Sequence, residues 1–514
     1  MSQLSPGVPA HGVHGPPSRL SALGWVALIG AGVLLAYLIA HSVTGESAAP
    51  PGGEHVGVPE GYRAPPPWAC IPFAGLLLSI AILPLLPATM HWWESNKNRL
   101  CVALVFAGLA ILYYLFVHPM TVNHTTHQTY TGVASVVNVL EHALLAEYIP
   151  FIVLLFSLYV ISGGISLRGD LAARPATNTA FLAVGAVLAS FIGTTGASML
   201  LIRPLLQTNS ERKHVRHTVI FFIFLVSNIG GCLLPIGDPP LFLGYLKGVP
   251  FLWTFGLTVP WAATCALLLG VYYVWDTVAF KGEREIDLIK DRLVKVRLTL
   301  RGKVNLLYLG GVVLCVGLVD PGKEFLGLGF KPFLFLRELL MLGLVGISLW
   351  STAPQIRKDN DFNYHAILEV AALFIGIFIA MQIPIEILNA KGPALGLSKP
   401  WHFFWATGSL SAFLDNAPTY VVFFTTAESL THEAGAGVLA LAGGQFVLEN
   451  LLVGISLGAV FMGAMSYIGN GPNFMVKSIA EQSGVRMPSF FGYMLYSCAI
   501  LLPLFVLVTV IFVR

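Results

Sequence analysis

The sequence contains few charged residues. Asp, Glu, Lys and Arg together make up 11% of the 514 residues, whereas 56% are hydrophobic and the mean hydropathy is +0.76. Soluble globular domains contain about 25% charged residues, so this composition excludes an ordinary soluble enzyme. The 29 Lys and Arg nearly balance the 26 Asp and Glu, and no basic block dominates. This balance excludes a nucleic-acid-binding chain.

The sequence also lacks the cysteine pairs of a disulfide or zinc framework. Its six cysteines lie in or beside apolar segments, and no two of them form a CxxC pair. We therefore expect buried free thiols. We find no Ser/His/Asp set and no metal-ligand spacing, so we expect neither enzymatic activity nor a cofactor.

Apolar stretches of about 20 residues, the length of a helix that crosses a bilayer, recur along the whole chain. We predict an all-α polytopic membrane protein with eleven full crossings. Residues 22–41 are interpreted as a retained first helix rather than a signal peptide, because the run has full span length and no small-residue cleavage site follows. The other predicted crossings are 68–87, 100–117, 148–167, 218–246, 250–275, 304–320, 333–350, 366–389, 450–478 and 490–513.

Two further apolar segments, 178–202 and 403–426, are interpreted as re-entrant hairpins that enter and leave the membrane on one face. Basic residues flank the first segment on both sides, so a single crossing would place one basic cluster outside, against the positive-inside bias. With both hairpins and a cytoplasmic N-terminus, 21 of the 29 Lys and Arg lie on the cytoplasmic side. The charge distribution thus predicts a multi-pass protein of the cell (inner) membrane.

The chain is predicted to consist of two repeats joined by a charged linker. The linker is long enough for a cytoplasmic surface helix, and its charges fit a solvated loop equally well. The predicted parts are a tail, first helix and extracytoplasmic loop (1–67), a first repeat (68–280, with hairpin 178–202 and broken helix 218–246), the linker (281–303), and a second repeat (304–514, with hairpin 403–426 and broken helix 450–478).

Three elements recur in the same order in the two halves. Glu147 and Glu369 open corresponding spans. Residues 190–198 align with 411–419 at an offset of 221, and residues 235–240 align with 467–472 at an offset of 232. The charge topology places the first hairpin on the cytoplasmic side and the second one outside, so the repeats are inverted. Inverted repeats with broken helices at corresponding positions are typical of secondary transporters, with a site near the middle of the membrane.

Polar residues of the two helix breaks and the two hairpin tips are the candidate ion-binding residues. Gly and Pro interrupt both broken spans, and unwound backbone at membrane depth lines a cavity or is packed in protein. The same small polar residues also suit a purely structural role in close helix packing. The candidates are Ser190, Thr194, Thr195, Ser227, Asn228, Asp238, Ser411, Asp415, Asn416, Thr419, Ser466, Asn470 and Asn473.

Asp238 and Asp415 are the candidates with the strongest physical argument. An ionised carboxylate at the centre of a membrane helix costs about 2.5–3.5 kcal/mol or more unless it is neutralised. A proton and a bound Na⁺ each neutralise it, and their competition for one carboxylate is the minimal chemistry of cation/proton exchange. An alternative role for Asp238 is to cap the half-helix that follows it.

The motifs SNIGGCLLPIGDPP (227–240) and SAFLDNAPT (411–419) resemble those of the ion transporter superfamily, which contains arsenite, dicarboxylate, citrate and NhaD-type sodium/proton transporters. The chain is most similar to NhaD-like sodium/proton antiporters and citrate transporters, over about residues 68–514. The resemblance implies a homodimer in which a mobile transport domain, holding both hairpins, moves past a scaffold domain like an elevator. The residues that it implies at or near the ion site are Ser227, Asn228, Asp238, Asp415, Asn416 and Thr419.

We predict a sodium/proton antiporter, and the alternative is a symporter of citrate or another carboxylate driven by Na⁺ or H⁺. The two carboxylates, and the lack of Lys or Arg in the motifs, favour the antiporter. A carboxylate symporter would hold its anion with half-helix N-termini and hydroxyl groups, and it requires no arginine.

Overall fold

The computed structural model of the protein describes residues 64–122, 129–286, 296–320, 329, 331–431, 433–442 and 444–514. The predicted first helix at 22–41 and most of the predicted loop at 42–67 lie outside the described residues. The described helices are α1 (Ile71–Ile82), α2 (Met90–Trp93), α3 (Asn96–Phe116), α4 (Val133–Leu140), α5 (Ile149–Ser162), α6 (Pro175–Ile192), α7 (Thr194–Thr208), α8 (Arg216–Leu225), α9 (Pro239–Leu246), α10 (Thr258–Lys281), α11 (Val304–Leu318), α12 (Leu336–Ser351), α13 (Pro354–Asp359), α14 (His365–Ala380), α15 (Gln382–Lys391), α16 (Pro400–Ser411), α17 (Asn416–Glu428), α18 (Glu449–Met462), α19 (Gly471–Gln482) and α20 (Phe490–Phe512).

Seven of the described helical segments are long and apolar enough to cross a membrane. This finding confirms the prediction of a mostly helical, multi-pass membrane protein, while the count of eleven crossings stays a prediction. The seven segments are Asn96–Phe116, Val133–Ser162, Pro175–Ile192, Arg216–Leu233, Trp253–Lys281, His365–Leu395 and Phe490–Phe512. Shorter apolar helices lie at Pro67–Ile82, Val304–Leu318 and Glu449–Met465.

Six short strands form three antiparallel pairs among the described residues. The pairs are β1 (Met120–Val122) with β2 (Thr129–Thr131), β3 (Ser166–Asp170) with β4 (Val296–Arg301), and β5 (Val438–Ala440) with β6 (Phe446–Leu448). The predicted span at 148–167 is shifted accordingly. Its helix starts earlier, at Val133, and runs through a π-helical segment at Glu141–Tyr148, whereas the last residues of the predicted span belong to β3.

The C-terminal end of the predicted linker forms strand β4, whereas residues 287–295 lie outside the described residues, so a surface helix in the linker stays a prediction. In β4, apolar residues at 296, 298 and 300 alternate with polar residues, which is the period of a strand and not of a helix. Arg301 pairs with Ser166, so β4 lies against the segment just before the first hairpin. The linker therefore ties the start of the second half to the first half through backbone hydrogen bonds.

The first predicted hairpin consists of α6 and α7, which meet at Gly193. Gly193 has a φ of 77°, in the region that favours glycine because it has no Cβ. At the open end of the pair, the amides of Asn178 and Asn209 donate to each other at 2.8 and 2.9 Å. The two ends of the segment thus lie side by side, which suits entry and exit on one face.

The second predicted hairpin consists of α16 and α17, joined by residues 412–415. These helices have 12 and 13 residues, which at 1.5 Å per residue gives about 18 and 20 Å, less than the roughly 30 Å of a bilayer core. Neither arm can cross alone. Re-entry of both hairpins from opposite faces stays a prediction.

The two broken helices have the same local backbone. After α8, a 3₁₀ turn at Ile229–Leu233 is followed by extended Leu234 and a turn at 235–237, and α9 starts with Pro239 and Pro240. After α18, a 3₁₀ turn at Gly463–Met465 precedes α19, which has Pro472 in its first turn. The residue before each second half-helix is extended, with φ −142° and ψ 141° at Asp238 and φ −152° and ψ 140° at Asn470. Proline fixes these helix starts because it tolerates only the first helical turn.

We expect single cysteines at Arg174 and Ser210, the exposed flanks of the first hairpin, to react with a membrane-impermeant maleimide from the same side of the membrane. The amide pair of Asn178 and Asn209 holds these flanks together at one end of the hairpin. The measurement uses a background without the native cysteines, in intact cells and in inverted vesicles. Labelling of the two positions from opposite sides would contradict the re-entrant topology.

Candidate functional site

The carboxylate of Asp238 lies where the two hairpin tips and the two helix breaks meet. Its Oδ1 accepts hydrogen bonds from Thr194 Oγ1 at 3.1 Å and from Asn470 Nδ2 at 3.0 Å. Its Oδ2 accepts one from Asn416 Nδ2 at 2.7 Å. Thr194 belongs to the first tip, Asn416 to the second tip and Asn470 to the second break. All four residues are at most 3% exposed, so the site is buried.

These four residues form two pairs at corresponding positions of the repeats. Thr194 and Asn416 are the first residues of α7 and α17, an offset of 222 residues. Asp238 and Asn470 directly precede α9 and α19. Gly193 directly precedes α7, and Asp415 directly precedes α17. The structure therefore aligns the two tips at an offset of 222 residues, one more than in the sequence alignment. The site therefore contains one carboxylate, with an amide in the equivalent position.

Asp238 does not cap the helix that follows it, although its position in the sequence suits that role. Its side chain makes no hydrogen bond to the N-terminal amides of α9. Both carboxylate oxygens are used by side chains of other elements instead. The packing of the two repeats, rather than the local helix start, decides the role of this residue.

Asp415 has the capping role. Its Oδ1 accepts a hydrogen bond from the backbone N–H of Ala417 at 3.0 Å, and its backbone C=O accepts one from Thr419 Oγ1 at 3.0 Å. The side chain is half-buried, whereas Asp238 is fully buried. The two carboxylates that look alike in the sequence thus have different surroundings. Cation binding by Asp415 stays a prediction.

A second set of hydrogen bonds joins the two breaks. Asn228 Nδ2 donates to Asn473 Oδ1 at 2.7 Å, and Asn470 Nδ2 donates to the C=O of Ser227 at 3.1 Å. The hydroxyl groups of Ser227 and Ser198 lie 2.8 Å apart, which adds the second arm of the first hairpin. These contacts lie beside Asp238 and hold the breaks together.

Three of the predicted serines bind backbone rather than the centre of the site. Ser190 donates to the C=O of Gly230, Ser411 donates to the C=O of Ala459, and Ser466 donates to the C=O of Ala412, at 2.5, 2.8 and 2.5 Å. Ser190 and Ser411 each fix a hairpin to the broken helix of its own repeat. These contacts fit the structural role, and ion binding by the three serines stays a prediction. Thr195 is half-buried beside Thr194.

Two amide oxygens near Asp238 are buried and unpaired. Asn228 Oδ1 and Asn416 Oδ1 have no hydrogen-bond partner in the described part of the chain. A methyl group on Gly463 would lie 3.0 Å from Asn228 Oδ1 and 3.6 Å from Asn416 Nδ2, so both amides converge on the same region. A buried acceptor without a partner costs about 1–3 kcal/mol. Amide and carboxylate oxygens are ligands that hard cations prefer.

The groups around Asp238 are neutral dipoles, which supply only partial positive charge. The N-termini of α7, α9, α17 and α19 all lie at the tips and breaks, and helix N-termini carry partial positive charge. Among the described residues, the hydrogen bonds to this carboxylate come from one hydroxyl and two amides, with none from Lys, Arg or His. A bound proton or small cation would therefore supply the full positive charge that the site lacks.

In each break, two glycines allow one stretch of backbone to pack directly against another. This role was not identified from the sequence. A methyl group on Gly237 would overlap the C=O of Gly231. At the equivalent position, a methyl group on Gly469 would lie 2.6 Å from the C=O of Gly463. The spacing of six residues between the glycines is the same in both breaks. That repeated spacing is the signal that could have identified these contacts.

The two glutamates predicted at corresponding positions have different partners. Glu147 forms an ion pair with Lys247 Nζ at 2.6 Å and accepts a hydrogen bond from Gln382 Nε2 at 2.9 Å. Glu369 pairs with Arg99 at 2.9 Å. Lys247, which directly follows α9, was not identified from the sequence. Lys247 is a single cation next to an apolar half-helix, and that position is the sequence signal that could have indicated a buried acidic partner.

Comparison with known proteins agrees with the resemblance carried by the two motifs. A family model described as "putative citrate transport" matches residues 63–513, nearly the whole chain. A search of the curated proteins finds no match to this chain. The family match is consistent with the ion transporter superfamily and its citrate transporters. The chain belongs to the putative citrate transport family.

Proposed function

We propose that this secondary transporter exchanges Na⁺ for protons across the cell membrane, and that Asp238 binds the two ions in turn. The observation that carries the proposal is the position of Asp238, the one carboxylate among the four residues that join both tips and both breaks. Its family favours transport over an enzymatic activity.

The surroundings of Asp238 favour a small cation as the transported species. A buried carboxylate must be neutralised, and its three donors are neutral. The unpaired Oδ1 atoms of Asn228 and Asn416 offer two further oxygen ligands. A carboxylate with amide oxygens suits a hard cation such as Na⁺, and the carboxylate alone suits a proton.

Competition at one carboxylate couples the two ion fluxes. When Na⁺ leaves toward one side, the bare carboxylate is costly in a low-dielectric site until a proton replaces it. Transport domains with an empty, charged site therefore seldom cross. We propose that both hairpins and both broken helices move together as an elevator, in a homodimer with a cytoplasmic N-terminus.

Symport of citrate or another carboxylate is the second candidate, favoured by the family description and by four helix N-termini at the site. An anionic substrate beside ionised Asp238 would be repelled. Citrate transport thus also requires a cation or proton at this residue, so both candidates assign the coupling ion to Asp238.

Reconstituted vesicles with a pH gradient distinguish the two candidates. Na⁺, K⁺ and citrate are added in separate experiments. We expect Na⁺ to dissipate the pH gradient at a rate well above that of protein-free vesicles. Addition of Li⁺ tests ion selectivity, and K⁺ controls for ionic strength. Dissipation by citrate and not by Na⁺ alone would replace the antiporter with the symporter. Dissipation by none of them would contradict the antiporter and a proton-driven symporter.

A further inference from the structure

A basic pocket lies away from the Asp238 site, on the face predicted to be cytoplasmic. It encloses about 810 Å³ between the end of α7, the start of α8, the end of α10 and the connection between α19 and α20. Neither Asp nor Glu occurs among the described residues that line it. The cations in its wall are Arg203, Arg212, Lys213, Arg216 and Arg486, with His214 and His217 beside them.

Arg212 is already neutralised. Its guanidinium contacts buried Asp276 at 2.6 Å and lies 3.7 Å from Glu283. Burial would raise the pKa of Glu283, but hydrogen bonds from the backbone N–H groups of Lys213 and His214 outweigh burial and lower this pKa. Glu283 is therefore ionised at neutral pH. These contacts make Arg212 part of the frame of the pocket.

Arg203 is paired with Asp361 at 2.7 Å, and the three other cations remain available to a ligand. The side chains of Lys213, Arg216 and Arg486 are exposed and line the pocket. None of them forms an ion pair with Asp or Glu in the part of the chain that the structure describes. Arg216 Nε donates to the backbone C=O of Arg486 at 2.8 Å, which brings the two positions together across the pocket. Three positive charges around one cavity attract an anion, and arginine suits phosphate oxygens in particular.

The pocket is continuous with the apolar surface of the protein. Trp275 on α10 and Tyr496 on α20 both line it, and their rings lie 6.1 Å apart. The residues near Trp275 on α10 are apolar and exposed, with Val274 at 64% and Val278 at 66%. On α20, Leu495 is 75% exposed. Trp and Tyr next to exposed apolar helix faces are typical of the membrane–water interface.

We propose that this pocket binds the phosphate headgroup of an anionic phospholipid whose acyl chains lie against α10 and α20. Lys213, Arg216 and Arg486 contact the phosphate, and Trp275 separates the headgroup from the chains. Basic pockets between membrane helices on the cytoplasmic side are suited to such headgroups. The apolar surface beside the pocket favours a lipid over a free phosphate.

Native mass spectrometry of the delipidated protein in a neutral detergent tests this proposal. The probes are dioleoyl phosphatidylglycerol, dioleoyl phosphatidylcholine and glycerol 3-phosphate. We expect phosphatidylglycerol to bind most tightly. The variant Lys213→Gln/Arg216→Gln/Arg486→Gln should weaken that binding by about fivefold per cation, roughly a hundredfold in all. The matched control is Lys97→Gln/Lys303→Gln/Lys358→Gln, which removes three exposed cations from the same predicted face.

The outcomes separate a lipid site from general charge attraction and from a free anion site. An equal loss of phosphatidylglycerol binding in the control variant would overturn the proposal, as would equal binding of phosphatidylcholine by the unmodified protein. If glycerol 3-phosphate binds as tightly as phosphatidylglycerol, the ligand is a free phosphate. We expect Trp275→Ala to weaken the binding of phosphatidylglycerol without changing the binding of glycerol 3-phosphate. None of these measurements depends on transport.

Discussion

Asp238→Asn is expected to reduce Na⁺-driven proton movement to the level of protein-free vesicles, with the fold intact. The amide carries no charge, so it cannot alternate between a proton and a sodium ion. Its oxygen can still accept from Thr194 and Asn470, while Asn416 can turn its unpaired Oδ1 toward the new amide nitrogen. The measurement is gradient dissipation by Na⁺ in reconstituted vesicles, with size-exclusion chromatography as the check on folding.

Asp415→Asn is the matched control for this prediction. Asn caps helices about as well as Asp, so α17 should keep its N-terminal hydrogen bond to Ala417. We expect this variant to retain measurable exchange. Normal exchange in Asp238→Asn would disprove the mechanism. Complete loss in both variants would show that the function is shared between the two carboxylates, as their equal appearance in the sequence first indicated.

Gly237→Ala is expected to lower stability and abolish exchange, although it adds only one methyl group. That methyl overlaps the backbone C=O of Gly231, which cannot move aside without opening the break. Overpacking of this kind costs about 1–3 kcal/mol, and more where backbone must shift. Asp238 is the next residue, so its carboxylate would also leave its three donors. The unfolding midpoint in detergent, followed by tryptophan fluorescence, measures the first effect, and vesicle transport measures the second.

Two further variants serve as comparisons for Gly237→Ala, one in the equivalent break and one as a control. Gly469→Ala should behave similarly, because its methyl would press on the C=O of Gly463 in the equivalent break. Gly343→Ala, in α12, has no atom within 4 Å of the new methyl and should keep or slightly raise stability. If Gly237→Ala unfolds at the same temperature as Gly343→Ala, the close backbone contact is not required.

The sequence alone determined the structural features that depend only on residues close together in the chain. Long apolar runs required membrane helices, because a backbone in lipid must satisfy its own hydrogen bonds. Pro239 and Pro472 fixed where the second half-helices start, since proline fits only the first helical turn. The two motifs identified the family, and the repeat pattern indicated that two hairpin tips and two helix breaks carry the polar residues of the site.

Only the tertiary structure decided how those elements share their groups. Asp238 and Asp415 look alike in the sequence, but one accepts from three other elements and the other caps its own helix. The Glu147–Lys247 pair and the β3–β4 pair likewise join residues about 100 or more positions apart. A local pattern specifies helix starts, periodicity and hydropathy. Which distant donor reaches a buried carboxylate depends on the packing of both repeats, and no local pattern contains that information.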